Sequence, residues 1–98
     1  MRVGFSRFVE SDLDSIADYI AYDNPERAVT FLDEIRAEIR LIGKNPQLYR
    51  LRPEFGAGVR IGIVGHYAIL FRIADPMVVI ERVVYGGRDL PALLSAER

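Results

Sequence analysis

The apolar residues of this chain change their spacing once, and this change constrains the fold more than any other feature. Over residues 12–42 they recur at helical spacing, whereas over residues 59–85 they alternate with a period of two. Only Gly65, and then residues 74–76, separate the three alternating runs. Connections this short join antiparallel neighbours, because parallel strands require a crossover of about a dozen residues or more. The second half of the chain therefore predicts a three-stranded antiparallel meander.

A short strand and a first helix are predicted before this meander. Residues 2–8 favour the strand. Ser11 is expected to be the N-cap of a helix over residues 12–22, with Asp12 and Asp14 in its first turn, where the helix dipole favours negative charge.

A second, longer helix is predicted over residues 25–42. Asn24 provides an N-cap and Pro25 suits the first helical position. Gly43 is expected to end the helix in the left-handed conformation. The few residues between the two helices predict an antiparallel helical hairpin.

The element order β-α-α-β-β-β predicts an α+β fold, in which a helical hairpin packs on one face of a mostly antiparallel sheet. Residues 1–98 form a single domain in this interpretation, with a frayed tail over residues 90–98. In the last strand, Val78, Ile80, Arg82 and Val84 alternate with the residues between them. The last two strands are apolar on both faces, at residues 69–71 and 77–80. We therefore expect a protein partner to cover part of the sheet face that the helices leave open.

Composition excludes several functions. The chain has no cysteine and one histidine, which excludes disulfides, thiol chemistry, cysteine-zinc and iron–sulfur sites, and any site with several histidines. No secretion signal and no apolar run of about 20 residues is present, so we expect a cytoplasmic domain that does not enter a membrane. A net charge of −1 argues against a general nucleic-acid binder.

No catalytic, cofactor or metal site is predicted. His66 follows Gly65 in a turn and is interpreted as a surface residue. Asp12, Asp14 and Asp18 are scattered around one helix, which does not favour a metal site. The glycines of residues 56–58 are followed by neither a helix nor a lysine, so they do not form a phosphate-binding loop.

Arginines are the strongest candidates for partner binding, since twelve of the thirteen basic residues are Arg. Arg60, Arg72 and Arg82 come from three different strands and could line one strip that binds an acidic partner. Solvated charges at the sheet edge would produce the same pattern. Arg88 and Asp89 follow two glycines at the end of the last strand, where they are either displayed for binding or form part of an ordinary turn.

The chain resembles toxins of the RelE/ParE superfamily of bacterial type II toxin–antitoxin modules, and it is closer to the ParE branch. The similarity spans residues 3–94 in the order and spacing of the family, and its strongest part is residues 81–89. The residues that carry it are Asp12-Leu13, Ile16, Tyr19, Pro25, Ala28, Phe31, Gly58-Val59-Arg60, Tyr67, Ile69, Phe71-Arg72 and Glu81 to Asp89.

The resemblance implies the same fold and a ParD-like antitoxin, whose acidic, amphipathic C-terminal segment folds around the toxin to form a hetero-oligomer. On this basis we expect an antitoxin-binding surface and a target-binding surface, with DNA contacted only through the antitoxin. The antitoxin-binding residues are Arg60, Tyr67, Phe71, Arg72, Ile80 and Arg82. The target-binding residues are Tyr85, Arg88 and Asp89.

The two branches differ in activity. RelE-like members cleave messenger RNA in the ribosome with basic side chains. Where they carry a pair of lysines, this chain has Arg60 and Gly62, and where they carry an arginine it has Ala68; only Arg88 matches a nuclease arginine. ParE-like members stall DNA gyrase on cleaved DNA by binding. We therefore expect a gyrase inhibitor that is not an enzyme. A ribosome-dependent endoribonuclease that uses Arg60, Arg82 and Arg88, and a non-toxic antitoxin-binding module, are the alternatives.

Overall fold

A four-stranded sheet and a pair of helices form two layers in the computed structural model, which describes residues 1–86. This arrangement confirms the predicted α+β fold. Two single 3-10 turns, Pro46–Leu48 and Pro53–Phe55, lie in the loop that joins the second helix to the second strand. The elements in chain order are β1 (Arg2–Phe5), α1 (Val9–Asp23), α2 (Pro25–Lys44), β2 (Arg60–Val64), β3 (Tyr67–Ala74) and β4 (Met77–Tyr85).

The strand order is β1-β4-β3-β2. Strands β2, β3 and β4 form the predicted antiparallel meander, while β1 pairs in parallel with β4. The pairing of β1 stops at Phe5 opposite Ile80, and the Ser6 N–H then donates to the Ile80 carbonyl at 2.8 Å. Among the described residues, β4 beyond Ile80 therefore has a strand neighbour on one side only.

A bulge in β4 changes which side chains face the helices. Phe71 pairs with Ile80 and Leu70 with Arg82, so that Glu81 is the additional residue. Val83 consequently joins Ile80 in the core beneath the helices, while Val84 belongs to the opposite face. The simple alternation predicted for this strand is therefore wrong after Ile80, because a bulge shifts the period of two by one residue.

The main core lies between the helices and the sheet. The longer helix α2 contributes Phe31, Ile35, Ile39 and Ile42, which are buried at steps of four, four and three residues. Helix α1 contributes only Val9 and Ile16 to the buried set. The hairpin is thus held on the sheet mainly through α2.

A second, smaller core lies on the opposite face of the sheet. Leu70, Ala68 and Val84 are buried there with Val59, and Phe55 and Ile61 pack against them. Phe55 belongs to the loop before β2. The expectation that a partner must cover this apolar face is therefore wrong for the part around Leu70, since the loop itself covers it.

Several predicted boundaries also change. Strand β1 ends at Phe5 rather than residue 8, and α1 begins at Val9, so that Ser11 lies inside the helix and is not its N-cap. Gly43 is buried within α2, which ends at Lys44 and is followed by Asn45 with φ −144°. Gly43 is needed for close approach rather than for helix termination, because a Cβ atom there would lie 2.7 Å from Val3 Cγ2.

Other local predictions are confirmed. The Asn24 side chain accepts a hydrogen bond from the Arg27 N–H at 3.1 Å, and Pro25 begins α2. Gly65 turns the chain between β2 and β3 with φ +58°, beside an exposed His66. The predicted frayed tail over residues 90–98 lies outside the described residues.

Candidate functional site

The ion pair between Asp12 and Arg82 joins α1 to β4. Both carboxylate oxygens of Asp12 accept from the guanidinium, each at 2.8 Å. Asp12 Oδ2 also accepts from the Val83 N–H at 2.9 Å. Only 11% of the Arg82 side chain and 10% of the Asp12 side chain are exposed. Asp12 is therefore a structural anchor rather than only a favourable charge at a helix end.

The chain segment before α1 supports this pair. Ser6 Oγ donates to the Glu81 carbonyl at 2.6 Å and accepts from the Phe8 N–H at 3.2 Å, so it fixes the turn that leads into the helix. The Arg82 guanidinium then lies 5.3 Å from the centre of the Phe8 ring. Arg82 is thus enclosed by α1 and the preceding turn.

An open cleft lies between α1 and the end of the sheet formed by β3 and β4, beside this ion pair. Its volume is about 530 Å³. Three tyrosine side chains dominate its walls: Tyr19 from α1, Tyr67 from β3 and Tyr85 from β4. The other lining residues are Asp12, Ser15, Ile16, Arg82, Val83 and Val84. We call this feature the tyrosine cleft.

The rings of the tyrosine cleft belong to a continuous aromatic row. Tyr67 and Tyr85 pack edge to face, with ring centres 5.6 Å apart, and Phe31 lies on the other side of Tyr67 at 5.5 Å. Burial, followed by the neighbouring Tyr19 and Tyr85 hydroxyls, raises the pKa of Tyr67. Tyr67 is thus held by its neighbours, whereas Tyr19 is 77% exposed and Tyr85 is 47% exposed.

Arg72 lies elsewhere, on the sheet face opposite the helices. Its Nε donates to Glu81 Oε1 at 2.7 Å, and its NH1 donates to the Ala57 carbonyl. It therefore ties the bulge residue of β4 to the loop before β2. The side chain is 29% exposed, which leaves part of the guanidinium accessible to a partner.

Arg60 is also engaged within the chain. Its NH1 donates to the Tyr49 carbonyl at 2.5 Å. The Tyr49 hydroxyl donates to Glu38 Oε2 at 2.7 Å, and its ring packs edge to face on Phe71. Desolvation and the hydrogen bond to Glu38 raise the pKa of Tyr49 to about 12. Arg60 and Tyr49 thus stabilise the loop that follows α2.

The predicted antitoxin-binding residues do not form a single strip. Phe71 and Ile80 are fully buried in the main core, so they are wrong as contact residues. Arg82 is largely enclosed by its pair with Asp12. Tyr67, Arg60 and Arg72 are partly exposed and stay predictions, although Arg72 faces away from Tyr67 across the sheet.

Of the predicted target-binding residues, Tyr85 lines the tyrosine cleft, and Arg88 and Asp89 lie outside the described residues. The contribution of α1 to the cleft was not predicted as a site. The signal was present in the sequence, because Asp12, Ser15, Ile16 and Tyr19 are spaced by three, one and three residues and share one helix face. Which part of the sheet this face meets depends on the tertiary fold.

Within residues 1–86, no three side chains of the His, Asp or Glu types are arranged to hold a metal ion. Over the same residues, none of the helices combines the length and apolar character needed to cross a membrane.

Two helices packed on a four-stranded sheet, with β1 and β4 parallel and the remainder a meander, are the arrangement that the resemblance to RelE/ParE-like toxins implied. The sequence profile of the family described as ParE toxin of type II toxin-antitoxin system, parDE, matches residues 3–90. The chain therefore belongs to the ParE toxin family.

A solved structure supports the same fold. A chain of the chromosomal ParDE toxin–antitoxin system from P. aeruginosa superimposes with a TM-score of 0.76 and 24% sequence identity. The match covers 87% of this chain and 95% of that chain. No curated protein matches this sequence significantly.

Proposed function

We propose that this chain inhibits DNA gyrase by binding and that a ParD-like antitoxin neutralises it in a cytoplasmic hetero-oligomer. Membership in the ParE family supports the toxin role and the partnership with an antitoxin. The target surface in this proposal includes Tyr85, at the exposed end of the sheet. DNA is contacted through the antitoxin.

One observation favours binding over RNA cleavage. It is the environment of two positions at which RelE-like nucleases carry basic side chains. Ala68 is 1% exposed, within the second core beside Leu70 and Val59, so this position presents no charged group to solvent. Gly62 faces α2, and a Cβ atom there would lie 3.1 Å from Ile42 Cδ1 and 3.2 Å from Glu38 Oε2. A charge-assisted phosphate site would require exposed donors at both positions.

The remaining candidate nuclease arginines are engaged in structural contacts. Arg82 forms the enclosed pair with Asp12, and Arg60 donates to the Tyr49 carbonyl. Moving either side chain onto a phosphate would break a contact that holds the fold. This argument supports a binding mechanism for toxicity.

The experiment that tests the proposal is expression of the chain alone in a bacterium, followed by assay of the purified protein with gyrase and supercoiled DNA. We expect growth arrest, an SOS response and accumulation of gyrase-linked DNA breaks. Coexpression of the small protein encoded in the neighbouring reading frame should restore growth. Codon-phased cleavage of messenger RNA would instead identify a RelE-type nuclease, and unaffected growth would identify a non-toxic module.

A matched pair of variants tests the target surface. Tyr85→Ala should reduce gyrase inhibition about tenfold or more if this ring contacts the target, since central aromatic contacts dominate protein interfaces. Tyr22→Ala provides the control, because Tyr22 is a fully solvated tyrosine outside the tyrosine cleft. Equal inhibition by both variants would remove Tyr85 from the target surface.

A further inference from the structure

The charge of α1, the helix beside the tyrosine cleft, is the opposite of what an acidic ligand requires. Helix α1, which forms one wall, contains five carboxylates and no basic residue. Asp12 is neutralised by Arg82, but four others are exposed to solvent. These exposed residues are Glu10, Asp14, Asp18 and Asp23. Helix α1 therefore carries a net negative charge, although these four residues do not themselves line the cleft.

Part of this charge is unfavourable for the helix itself. Asp23 lies in the last turn of α1, where the helix dipole disfavours a carboxylate, and no basic side chain in that turn offsets it. Asp18 lies one residue before Tyr19, near the same end. The Asp23 carboxylate thus opposes local helix stability, while a cationic partner would be attracted by the negative charge of α1.

The cleft also brings three aromatic rings to one site. Tyr67 and Tyr85 meet edge to face, and Tyr19 stands opposite them on α1. Tyrosine ring faces attract ammonium and guanidinium groups, and the attraction grows as the cation is desolvated. The positive charge of Arg82 does not oppose this, since both carboxylate oxygens of Asp12 accept from it. His66 lies beyond Tyr85, with ring centres 6.3 Å apart.

We propose that the antitoxin inserts an Arg or Lys side chain into the tyrosine cleft, between Tyr19, Tyr67 and Tyr85, beside the negatively charged helix α1. This inference rests on the proposed antitoxin partnership and specifies its chemistry. The contact lies on α1, whose net charge is negative, and on the end of the sheet, rather than on a strip of arginines that binds acidic residues. An antitoxin segment with a basic residue among apolar neighbours fits both the rings and the negative charge of α1.

The test measures the affinity of the purified chain for the protein encoded in the neighbouring reading frame, by calorimetry at low and at moderate salt. Tyr19→Leu keeps apolar area but removes the aromatic face, and it should weaken binding about tenfold. Tyr22→Leu is the matched control, since Tyr22 lies one helical turn away on α1, is 90% exposed and does not line the cleft. The control should bind like the wild type.

A second arm identifies the inserted residue. Each Arg and Lys of the antitoxin outside its DNA-binding element is changed to Gln, and each variant is titrated against the wild type and the Tyr19→Leu variant. One substitution should weaken wild-type binding about tenfold and have much less effect in the Tyr19→Leu background. In the same way, the Asp18→Asn/Asp23→Asn variant should bind more weakly and with a smaller salt dependence.

The outcomes separate this inference from the proposed function. If Tyr19→Leu binds with full affinity, the insertion is wrong while the partnership stands. The same holds if the antitoxin binds tightly but none of its basic residues loses its effect in the Tyr19→Leu background. If the neighbouring protein shows no binding to the wild-type chain at all, both the partnership and the insertion fail.

Discussion

Asp12 shows how one side chain connects two distant parts of this chain. Its carboxylate accepts from the Arg82 guanidinium and from the Val83 N–H, seventy or more residues along the sequence. Removing one partner of a buried, hydrogen-bonded ion pair leaves the other charge without compensation, which is more costly than losing an exposed pair.

We therefore expect Asp12→Ala to lower the free energy of unfolding by about 3–5 kcal/mol. Urea denaturation followed by circular dichroism measures this change. Asp14→Ala is the control, since Asp14 is exposed two residues further along the same helix, and its effect should stay within about 0.5 kcal/mol. Equal midpoints for the two variants would show that the ion pair contributes little.

Tyr49 gives a prediction at alkaline pH. Its pKa is raised to about 12 by desolvation and by the hydrogen bond to Glu38. A folded pKa above the unfolded value of about 10 means that the neutral hydroxyl stabilises the fold fully below pH 10, and that this contribution is lost as the pH rises towards 12. The Tyr49→Phe variant has no hydroxyl to ionise at this position, so it should lose less stability than the wild type between pH 10 and 12.

The measurement is urea denaturation of the wild type and the Tyr49→Phe variant at neutral pH and at intervals up to pH 11. At neutral pH we expect the variant to be less stable by about 1–2 kcal/mol, because Glu38 loses a hydrogen bond. The difference should shrink as the pH rises. A constant difference over the whole range would contradict an elevated pKa.

At the scale of the element, the end of α2 depends on a small residue. Gly43 lies inside the helix, where alanine would be favoured by about 1 kcal/mol in isolation. A Cβ atom there would however meet Val3 Cγ2 at 2.7 Å. We expect Gly43→Ala to destabilise the chain by about 1–3 kcal/mol, because β1 or α2 must shift to accept the methyl group.

The Val3→Ala background separates packing from helix propensity. Once the valine methyl groups are removed, Gly43→Ala should become neutral or stabilising, and a thermal or urea denaturation cycle of the four proteins measures this change in sign. Destabilisation of the same size in both backgrounds would assign the effect to the backbone of Gly43 rather than to contact with Val3.

Most element types were predictable from sequence, because each depends on nearby residues. The Asn24-Pro25 start of α2 and the Gly65 turn follow from local backbone preferences. The bulge at Glu81 and the helical Gly43 were missed, since both are set by tertiary contacts: the register of β4 against β3, and the approach of Val3 to α2. Local patterns that fit an N-cap, as at Ser11, also mislead when the preceding turn is fixed from outside, here by Ser6.

The candidate site was predicted less completely than the fold. Tyr67 was predicted to bind the antitoxin and Tyr85 the target, and the tertiary structure brings both to the tyrosine cleft with Tyr19. Phe71 and Ile80 were assigned to a binding surface although both are fully buried, because sequence alternation does not reveal which strand face a helix covers. Arg82 lines the cleft but is largely enclosed, and the sequence does not reveal which arginine has an internal carboxylate partner.

For the molecule as a whole, the two helices are held on the sheet to different extents. Six residues of α2 are buried, against two in α1. Segments with few buried apolar contacts open locally at lower free energy than the core. We expect the amides of residues 17–23 to exchange with deuterium faster than those of residues 31–42.

Native-state hydrogen exchange at residue resolution measures this difference. The same measurement on the Asp12→Asn variant tests the role of the ion pair. Because Asp12 joins α1 to β4, this variant should lose protection mainly in α1 while α2 changes less. Uniform loss of protection across both helices would indicate that the hairpin and the sheet open together as one cooperative unit.

The short reach of β1 has a further consequence for solubility. Among residues 1–86, one edge of β4 has no neighbouring strand beyond Ile80. Unpaired edges of this kind allow another extended chain to add to the sheet, which leads to aggregation. At Val83 that opportunity is already blocked, since the Asp12 carboxylate occupies the amide that an incoming backbone would need. The contact that joins α1 to β4 therefore also hinders edge-to-edge association between copies of this chain.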